Sequence, residues 1–397
     1  MIKFDFKTYA KSFINEEEFN SLYSRKNEMI EKLKSYEMTG WMKPISPELV
    51  SDIKRCAKNI KDNYDCLVVI GIGGSFLGSY SFSKLFQKYF DDRSFSVIYA
   101  GTTLSSKYLE ELQHHLDKKN FCINVISKSG STMETTVTYQ ILKDLLRRKY
   151  SEEELKNRII ITTDKATGPL HEEAMVHNYQ TFDIPENIGG RYSFLTAAHL
   201  LPLALNYNID DIIEGYYEGE RLIDIAYEYA VTRRLLFNQR KVVENFCVYE
   251  ESMSAFTEWL KQLFGETEGK DGVGILPMST IHTRDLHSLG QFVQEGNKIL
   301  FETFIKVTNS DSFIEYNKQE LHRINNIVLD SVVKAHYSGG VPCLEIEMTE
   351  LDIENVSSLI YFFMLSAAFS AILFNVDPFN QPGVEVYKKE VKQALEK

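Results

Sequence analysis

Two stretches rich in glycine and hydroxyl groups each follow a short apolar run. The first is GIGGSFLG over residues 71–78, after the run Leu67–Ile70, and the second is SKSGSTMETT over residues 127–136, after Cys122–Ile126. Glycine lets a backbone come close to a ligand, and the start of a helix points N–H groups at an anion. Hydroxyls joined to a helix start can hold a phosphate dianion with little formal positive charge. The first stretch lacks the Gly-Lys-Ser/Thr ending of a P-loop and the glycine spacing of a dinucleotide fingerprint. Taken singly, each also reads as a tight strand-to-helix turn or a Ser/Thr-rich cap. Two such loops at the carboxyl ends of strands in one sheet favour an anion site, gripping a phosphate or sugar phosphate.

Four further segments carry charged candidates. GGRYS over 189–193 presents Arg191 behind two glycines, either to stabilise a forming oxyanion or to make an ordinary ion pair. Glu266 in GETEGK (265–270) falls at the end of a helix carrying Trp259, with Gln262 one turn earlier. A carboxylate there can act as a general base, although spacing alone favours a solvated acidic turn. His287 in DLHSLGQFVQEG (285–296) has no metal-ligand spacing and by itself reads as a structural histidine. In FNQPGVEVYK (379–388), Pro382 and Gly383 open a helix, and Lys388 by itself reads as an exposed lysine.

These groups need a scaffold, and the periodicity supplies one. Apolar runs at 67–70, 96–100, 122–126 and 158–162 alternate with helical stretches. A similar rhythm returns at 246–249, 273–276, 301–307 and 344–348. Strand–helix–strand at this spacing predicts parallel sheets covered on both faces. The fold class expected is α/β: two tandem α/β/α sandwiches with mainly parallel sheets, an N-terminal helical arm and a C-terminal helix. The predicted limits are 1–45 for the helical arm, 46–185 and 186–375 for the two sandwiches, and 376–397 for the segment carrying the lysine. Residues 16–34 read as one amphipathic helix capped by Asn15, and Ser46-Pro47 as the start of another.

Composition narrows the function classes. The 397 residues carry 44 Lys+Arg against 56 Asp+Glu, a net charge of -12, which disfavours nucleic acid and anionic lipid. The one dense basic run, Arg147-Arg148-Lys149, is followed by Glu152, Glu153 and Glu154. Five cysteines, an odd number with no C-x-x-C pair, predict neither a disulfide framework nor a zinc knuckle and fit a reducing, cytoplasmic setting. The first residues, MIKFDFKTYAKSF, lack the apolar run of a secretory signal. Residues 359–376 approach membrane-spanning length. They hold Ser366, Ser370 and Asn375 and lack basic flanks, so they read as a helix buried inside an α/β domain.

From about residue 65 to the C-terminus, the six motifs in this order resemble the glucose-6-phosphate isomerase (phosphoglucose isomerase) family. GGRYS and QPGVExxK are the most specific of them. The resemblance implies two sugar-isomerase (SIS) domains and reversible isomerisation of D-glucose 6-phosphate and D-fructose 6-phosphate, a step of glycolysis and gluconeogenesis, through a cis-enediol(ate). It implies that Gly74 and Ser75 line the sugar-phosphate pocket, while Ser127, Lys128 (through its backbone), Ser129 and Thr132 hold the phosphate. Arg191 is then expected to face the reacting carbons, and Gln262 and Gln381 to contact the sugar. Glu266 becomes the base, and His287 and Lys388 serve ring opening. No metal and no cofactor is expected, and the implied assembly is a homodimer with His287 donated to the neighbouring subunit's site. The alternatives are another SIS-type sugar-phosphate isomerase, a non-catalytic sugar-phosphate sensor, and a nucleotide-dependent oxidoreductase, against which the glycine spacing counts.

Overall fold

The computed structural model describes residues 1–90 and 94–395. The chain forms two compact units, one of residues 37–210 and the other of residues 1–36 with 211–397.

Strand β1 (Ile2–Asp5) opens the chain and belongs to the second unit. The sheet of unit 37–210 comprises β2 (Cys66–Ile70), β3 (Ser96–Ala100), β4 (Phe121–Ile126), β5 (Ile159–Thr163) and β6 (Gln180–Asp183), in the order β3-β2-β4-β5-β6 and parallel throughout. Val68, Ile70, Ile123 and Val125 pack with Leu112, Tyr139, Leu142 and Leu170 from the helices on one face. The alternate residues Leu67 and Val69 are equally buried, so both faces are covered, as the apolar runs require. Ser46 caps the helix Pro47–Asn63, its hydroxyl accepting from the Leu49 N–H at 3.3 Å.

The second sheet adds β7 (Val243–Val248), β8 (Leu276–Ile281) and β9 (Leu300–Val307), and a short hairpin follows as β10 (Glu315–Tyr316) and β11 (Gln319–Glu320). With β12 (Cys343–Met348), the sheet order is β1-β12-β9-β7-β8, parallel except where β1 runs antiparallel to β12. Cys247, Phe304 and Cys343 pack toward Val293, Leu329 and Val333. On the other face, the Phe246 ring lies 5.5 Å from Phe264 and 6.1 Å from Phe363. The order β3-β2-β4-β5 thus recurs as β8-β7-β9-β12. In each sheet the order reverses beside the first strand of the repeat, where open α/β sheets take their ligands.

The long apolar stretch is the core helix Ile353–Leu373 of the second unit, with 94% of its most apolar window buried. Asp352 caps it, accepting from the Asn355 N–H at 2.7 Å. Phe362 on this helix meets Phe4, Tyr229 and Phe363 at ring distances of 4.7, 5.7 and 5.1 Å.

Several elements depart from the sequence expectation. The N-terminal segment is not wholly helical, because β1 completes a sheet edge. The helix expected over 16–34 breaks into Glu16–Tyr23 and Lys26–Lys34, and the Ser24 hydroxyl donates to the Ser21 carbonyl at the break. The strand expected at 273–276 begins only at Leu276. Asp271, Gly272 and Gly274 all have positive φ and turn the chain first. The units part at 36/37 and 210/211 rather than 45/46 and 185/186. Residues 40–41 and 186–206 stay with the first sheet because they are tied to one another and to it. Gly40 N–H donates to the Asn187 carbonyl, the Trp41 and Tyr192 rings stack at 5.2 Å, and Asn206 pairs with the Phe95 backbone at 2.8 and 3.0 Å.

Truncating a fully buried aromatic removes transfer energy and leaves a cavity. Phe362→Ala is expected to destabilise the protein by about 3–5 kcal/mol. Urea unfolding measures this, and a loss below about 1 kcal/mol would show that the helix does not carry the core.

Candidate active site

In unit 37–210, the two loops singled out by sequence leave adjacent strands, β2 and β4. Residues 71–76 turn through a short 3-10 segment, Gly73–Ser75, with Gly73 at φ +56°. A Cβ on Gly74 would lie 2.2 Å from the carbonyl carbon of Gly190 and 2.7 Å from the Arg191 nitrogen. Only glycine therefore lets this loop touch the GGRYS segment. Arg191 follows on its own 3-10 turn, Gly190–Tyr192, and is 4% exposed.

The second loop folds on its own hydroxyls. Ser127 Oγ accepts from the Gly130 N–H at 3.1 Å and lies 3.4 Å from Thr132 Oγ1, while Ser129 Oγ accepts from the Ser131 N–H at 3.3 Å. Thr132 precedes the helix Met133–Lys149, whose first N–H groups lie at its start. The ammonium of Lys128 donates to the Pro185, Glu186 and Ile188 carbonyls at 3.3, 2.8 and 3.2 Å. Burial lowers its pKa below that of an ordinary lysine. The charge of Lys128 thus fastens the approach to Gly189, which leaves its backbone as the part open to a ligand.

His199, absent from every sequence motif, joins the first loop to GGRYS together with Ser193, whose hydroxyl donates to the Gly74 carbonyl at 3.1 Å. The histidine lies on the buried helix Ala197–Leu203 and touches Gly74, Ser79 and Ser193. Burial lowers its pKa to about 4, partly offset by the Gly74 carbonyl.

In the second unit, Glu266 stands in the last turn of the helix Ser254–Glu268. Gln262, one turn back on the same face, donates from Nε2 to Glu266 Oε1 at 3.3 Å. The Gln262 carbonyl oxygen is buried with no hydrogen-bond partner. Two residues on, Glu268 points into the core instead, where Arg233 grips it bidentately at 2.8 Å through both terminal nitrogens. Arg233 Nε also meets Glu244 at 2.8 Å, and all three side chains are fully buried. Thr303 and Tyr229 donate to Glu244, and Ser370 and the Ile275 N–H donate to Glu268. Removing one partner of such a buried charge cluster typically costs about 3–5 kcal/mol.

His287 ends the 3-10 turn Arg284–His287 and is exposed. Asp285 holds that turn by accepting from the Ile281 N–H at 2.7 Å, and its hydrogen bond from Arg284 lowers its pKa below the usual carboxylate range. Lys388 lies on the exposed helix Gly383–Leu395 and pairs with Glu385 at 2.8 Å, and Gln381 precedes that helix. The motif that holds Gln381 is tied to GETEGK, because Lys270 donates to the Asp377 carbonyl. The residues expected at the site therefore divide between the two units. Gly74, Ser75, Ser127, Lys128, Ser129, Thr132 and Arg191 belong to the first unit, and Gln262, Glu266, His287, Gln381 and Lys388 to the second.

Sequence spacing gave no metal motif, yet one donor of each of Cys247, His282 and Glu302 falls within 4.8 Å of the others. These groups already hydrogen-bond. Cys247 donates to Glu302 at 3.3 Å, His282 meets Thr280 at 3.2 Å, and His336 meets the other Glu302 oxygen at 2.6 Å.

Comparison with known proteins agrees with this geometry. Residues 37–326 match the family model described as phosphoglucose isomerase. A glucose-6-phosphate isomerase from Staphylococcus saprophyticus is 42% identical over 387 residues, covering 91% of this chain and 87% of that one. A glucose-6-phosphate isomerase from Staphylococcus haemolyticus is 42% identical over 370 residues, covering 87% and 84%. Among solved structures, a hypothetical protein from Thermus thermophilus superposes with a TM-score of 0.86 at 24% identity over all of both chains. A glucose-6-phosphate isomerase from Chlamydia trachomatis gives 0.82 at 16% identity over 96% of this chain and 86% of that one. The fold is that of the SIS-type isomerases. The chain belongs to the phosphoglucose isomerase family.

A histidine buried neutral makes stability depend on pH. The unfolded imidazole takes a proton below about pH 6.5, whereas the folded one does so only near pH 4. Stability is lost as pH falls through that window. Between pH 7 and 4.5, the protein should lose about 2–3 kcal/mol more than His199→Gln does. Urea unfolding at both pH values checks this, and equal losses would mean that the imidazole is not held neutral.

Proposed function

We propose that the chain interconverts D-glucose 6-phosphate and D-fructose 6-phosphate, with Glu266 as the base that moves a proton between C2 and C1. The observation that carries this is the Gln262–Glu266 pair. A carboxylate in the last turn of an anchored helix stands beside an amide whose buried carbonyl still needs a donor, and a sugar hydroxyl would supply it.

In this reading, Ser127, Ser129, Thr132 and the backbone of Lys128 hold the phosphate, with Gly74 and Ser75 lining the pocket. Phosphate grip contributes binding energy far from the reacting carbons. Ring opening comes first: His287, helped by Lys388, moves a proton between the anomeric hydroxyl and the ring oxygen. Glu266 then removes the C2 proton. The electron pair forms the C1–C2 double bond of a cis-enediol(ate), whose negative oxygen faces Arg191. Glu266 returns the proton to C1 while the C2 hydroxyl proton passes to the C1 oxygen, leaving a C2 carbonyl and a C1 hydroxyl, the ketose. Gln262 and Gln381 fix the sugar. Hydrogen count is unchanged, so the reaction needs no external oxidant or reductant.

The working assembly is a homodimer in which His287 serves the partner's site, and the exposure of His287 supports this. A cytoplasmic setting fits the five free, buried thiols. Burial raises the pKa of two of them, Cys56 and Cys66, to about 12 and 11.

Glu266→Gln should lose about 10²–10⁴-fold or more in kcat, with little change in KM. Coupled detection of glucose 6-phosphate formed from fructose 6-phosphate reads this, and near-full activity removes Glu266 as the base. Shared sites make a second prediction. Glu266→Gln and His287→Ala, each nearly inactive alone, should regain roughly a quarter of normal activity when unfolded and refolded together in equal amounts, because half the dimers are mixed and each holds one intact site. No recovery would place His287 in its own subunit's site.

A further inference from the structure

The imidazole of His199 meets four polar groups, two of them hydroxyls that can donate or accept (Ser79 Oγ at 3.3 Å from Nδ1 and Ser193 Oγ), and the other two fix its tautomer. The Ser79 backbone N–H lies 3.0 Å from Nδ1 and can only donate, so Nδ1 carries the lone pair. The Gly74 carbonyl lies 2.8 Å from Nε2 and can only accept, so Nε2 carries the proton. Ser193 Oγ lies 3.1 Å from Nε2 and donates onward to the Gly190 carbonyl at 2.6 Å. The ring is 1% exposed and seated so closely that a Cβ on Gly78 would lie 3.0 Å from its Cε1.

We propose that His199 is a positioning residue: as its Nε2–H tautomer it clamps the 71–78 loop to the GGRYS loop, and thereby sets where Arg191 stands. This rests on the reading of Arg191 as the group facing the enediolate. The clamp acts on both loops at once because their backbones touch at Gly74 and Gly190, and the Ser193 hydroxyl beside the ring also reaches the Gly74 carbonyl at 3.1 Å. One donor, Nε2–H, meets the carbonyl of Gly74 and the hydroxyl that holds Gly190, so the ring and the Ser193 hydroxyl together tie the residue just before Arg191 to the loop that follows β2. The phosphate loop is held without His199, by its own hydroxyls and by Lys128, which reaches the carbonyls before Gly189. Loss of the clamp should therefore affect turnover rather than phosphate grip.

The test uses the full-length protein. His199→Leu should lower kcat about 10–100-fold, as expected for a misplacement of about 1 Å, with KM for fructose 6-phosphate within about threefold of normal. His199→Gln sets an N–H where Nε2–H stood, and should restore kcat to within about fivefold of normal. His199→Asn presents an acceptor near Nδ1 but no donor at Nε2, and should remain as impaired as the leucine variant. A leucine variant with normal kcat, or with KM rising as far as kcat falls, overturns the clamp. If the leucine variant does not fold, the pair decides: Gln above Asn in kcat supports the clamp, and Asn equal to or above Gln overturns it. Glu266→Gln run alongside separates the two readings. If it is inactive while the His199 variants keep normal turnover, only the clamp falls; if it too stays active, the site reading falls. Nitrogen-15 shifts of labelled histidine in the unmutated protein give a readout free of activity, and an Nδ1–H tautomer at His199 overturns the proposal.

Discussion

Arg233 can be buried without water only because Glu244 and Glu268 face it from two directions. A guanidinium taken out of solvent loses its hydration, and the loss is offset only by near-ideal geometry with every donor and acceptor engaged. Here the second carboxylate leaves the trio with excess negative charge, and Tyr229, Thr303, Ser370 and the Ile275 N–H each supply a donor to one of the two carboxylates. The constraint joins strand β7, the core helix and the last turn of the helix that carries Glu266. Glu266 and Glu268 are two residues apart, about 200° around a helix. Anchoring Glu268 inward therefore turns Glu266 outward, toward Gln262. A charge that serves only packing thus sets the direction of the one proposed as the base.

The first unit reaches the same end by other means. Its fixed charge is Lys128, whose ammonium satisfies three carbonyls of the segment before Gly189, and its fixed dipole is the neutral imidazole of His199. In both units the strand order reverses beside the first strand of the repeated pattern. In unit 37–210 the loops leaving β2 and β4 at that reversal are the two hydroxyl- and glycine-rich stretches. The shared strand order points to one architecture used twice, with hydroxyl-rich turns elaborated on one copy and an acid-bearing helix on the other.

Much of this was legible in the residues. Buried parallel strands advertise themselves as Val- and Ile-rich runs, so β2 to β5 fall within about a residue of expectation. Asn15 and Ser46 cap helices as their types predict. Two edge strands were not legible: β1 and β6, IKFD and QTFD, are only four residues long and at least half polar, and β1 is stabilised by a partner strand distant in sequence. Glu266, His287 and Lys388 were singled out by family resemblance, since a lone acid, imidazole or ammonium has no spacing signal. His199 escaped altogether. It sits in the apolar sequence AAHLLPLAL, where a histidine reads as core, and its three partners are set by tertiary folding. The one sequence clue was its place six residues after Ser193, which proximity alone cannot turn into a role. The compact units part at other residues than the domain limits expected from sequence, because 186–206 packs on the first unit through contacts such as Trp41 with Tyr192 and Phe82 with Phe194, whose partners are set by tertiary folding.

The antiparallel pairing of β1 with β12 joins residues far apart in the chain, Ile2 with Met348. On the ribosome, which emits the chain from its N-terminus, residues 37–210 are complete and can close their own sheet while β7 to β12 are still unmade. The opening segment must wait through that interval without its partner. Its unit has a high contact order and forms late, and β12 offers a bare edge until β1 returns to it. Translation, rather than local propensity, therefore times the moment at which the half carrying Glu266 completes its sheet.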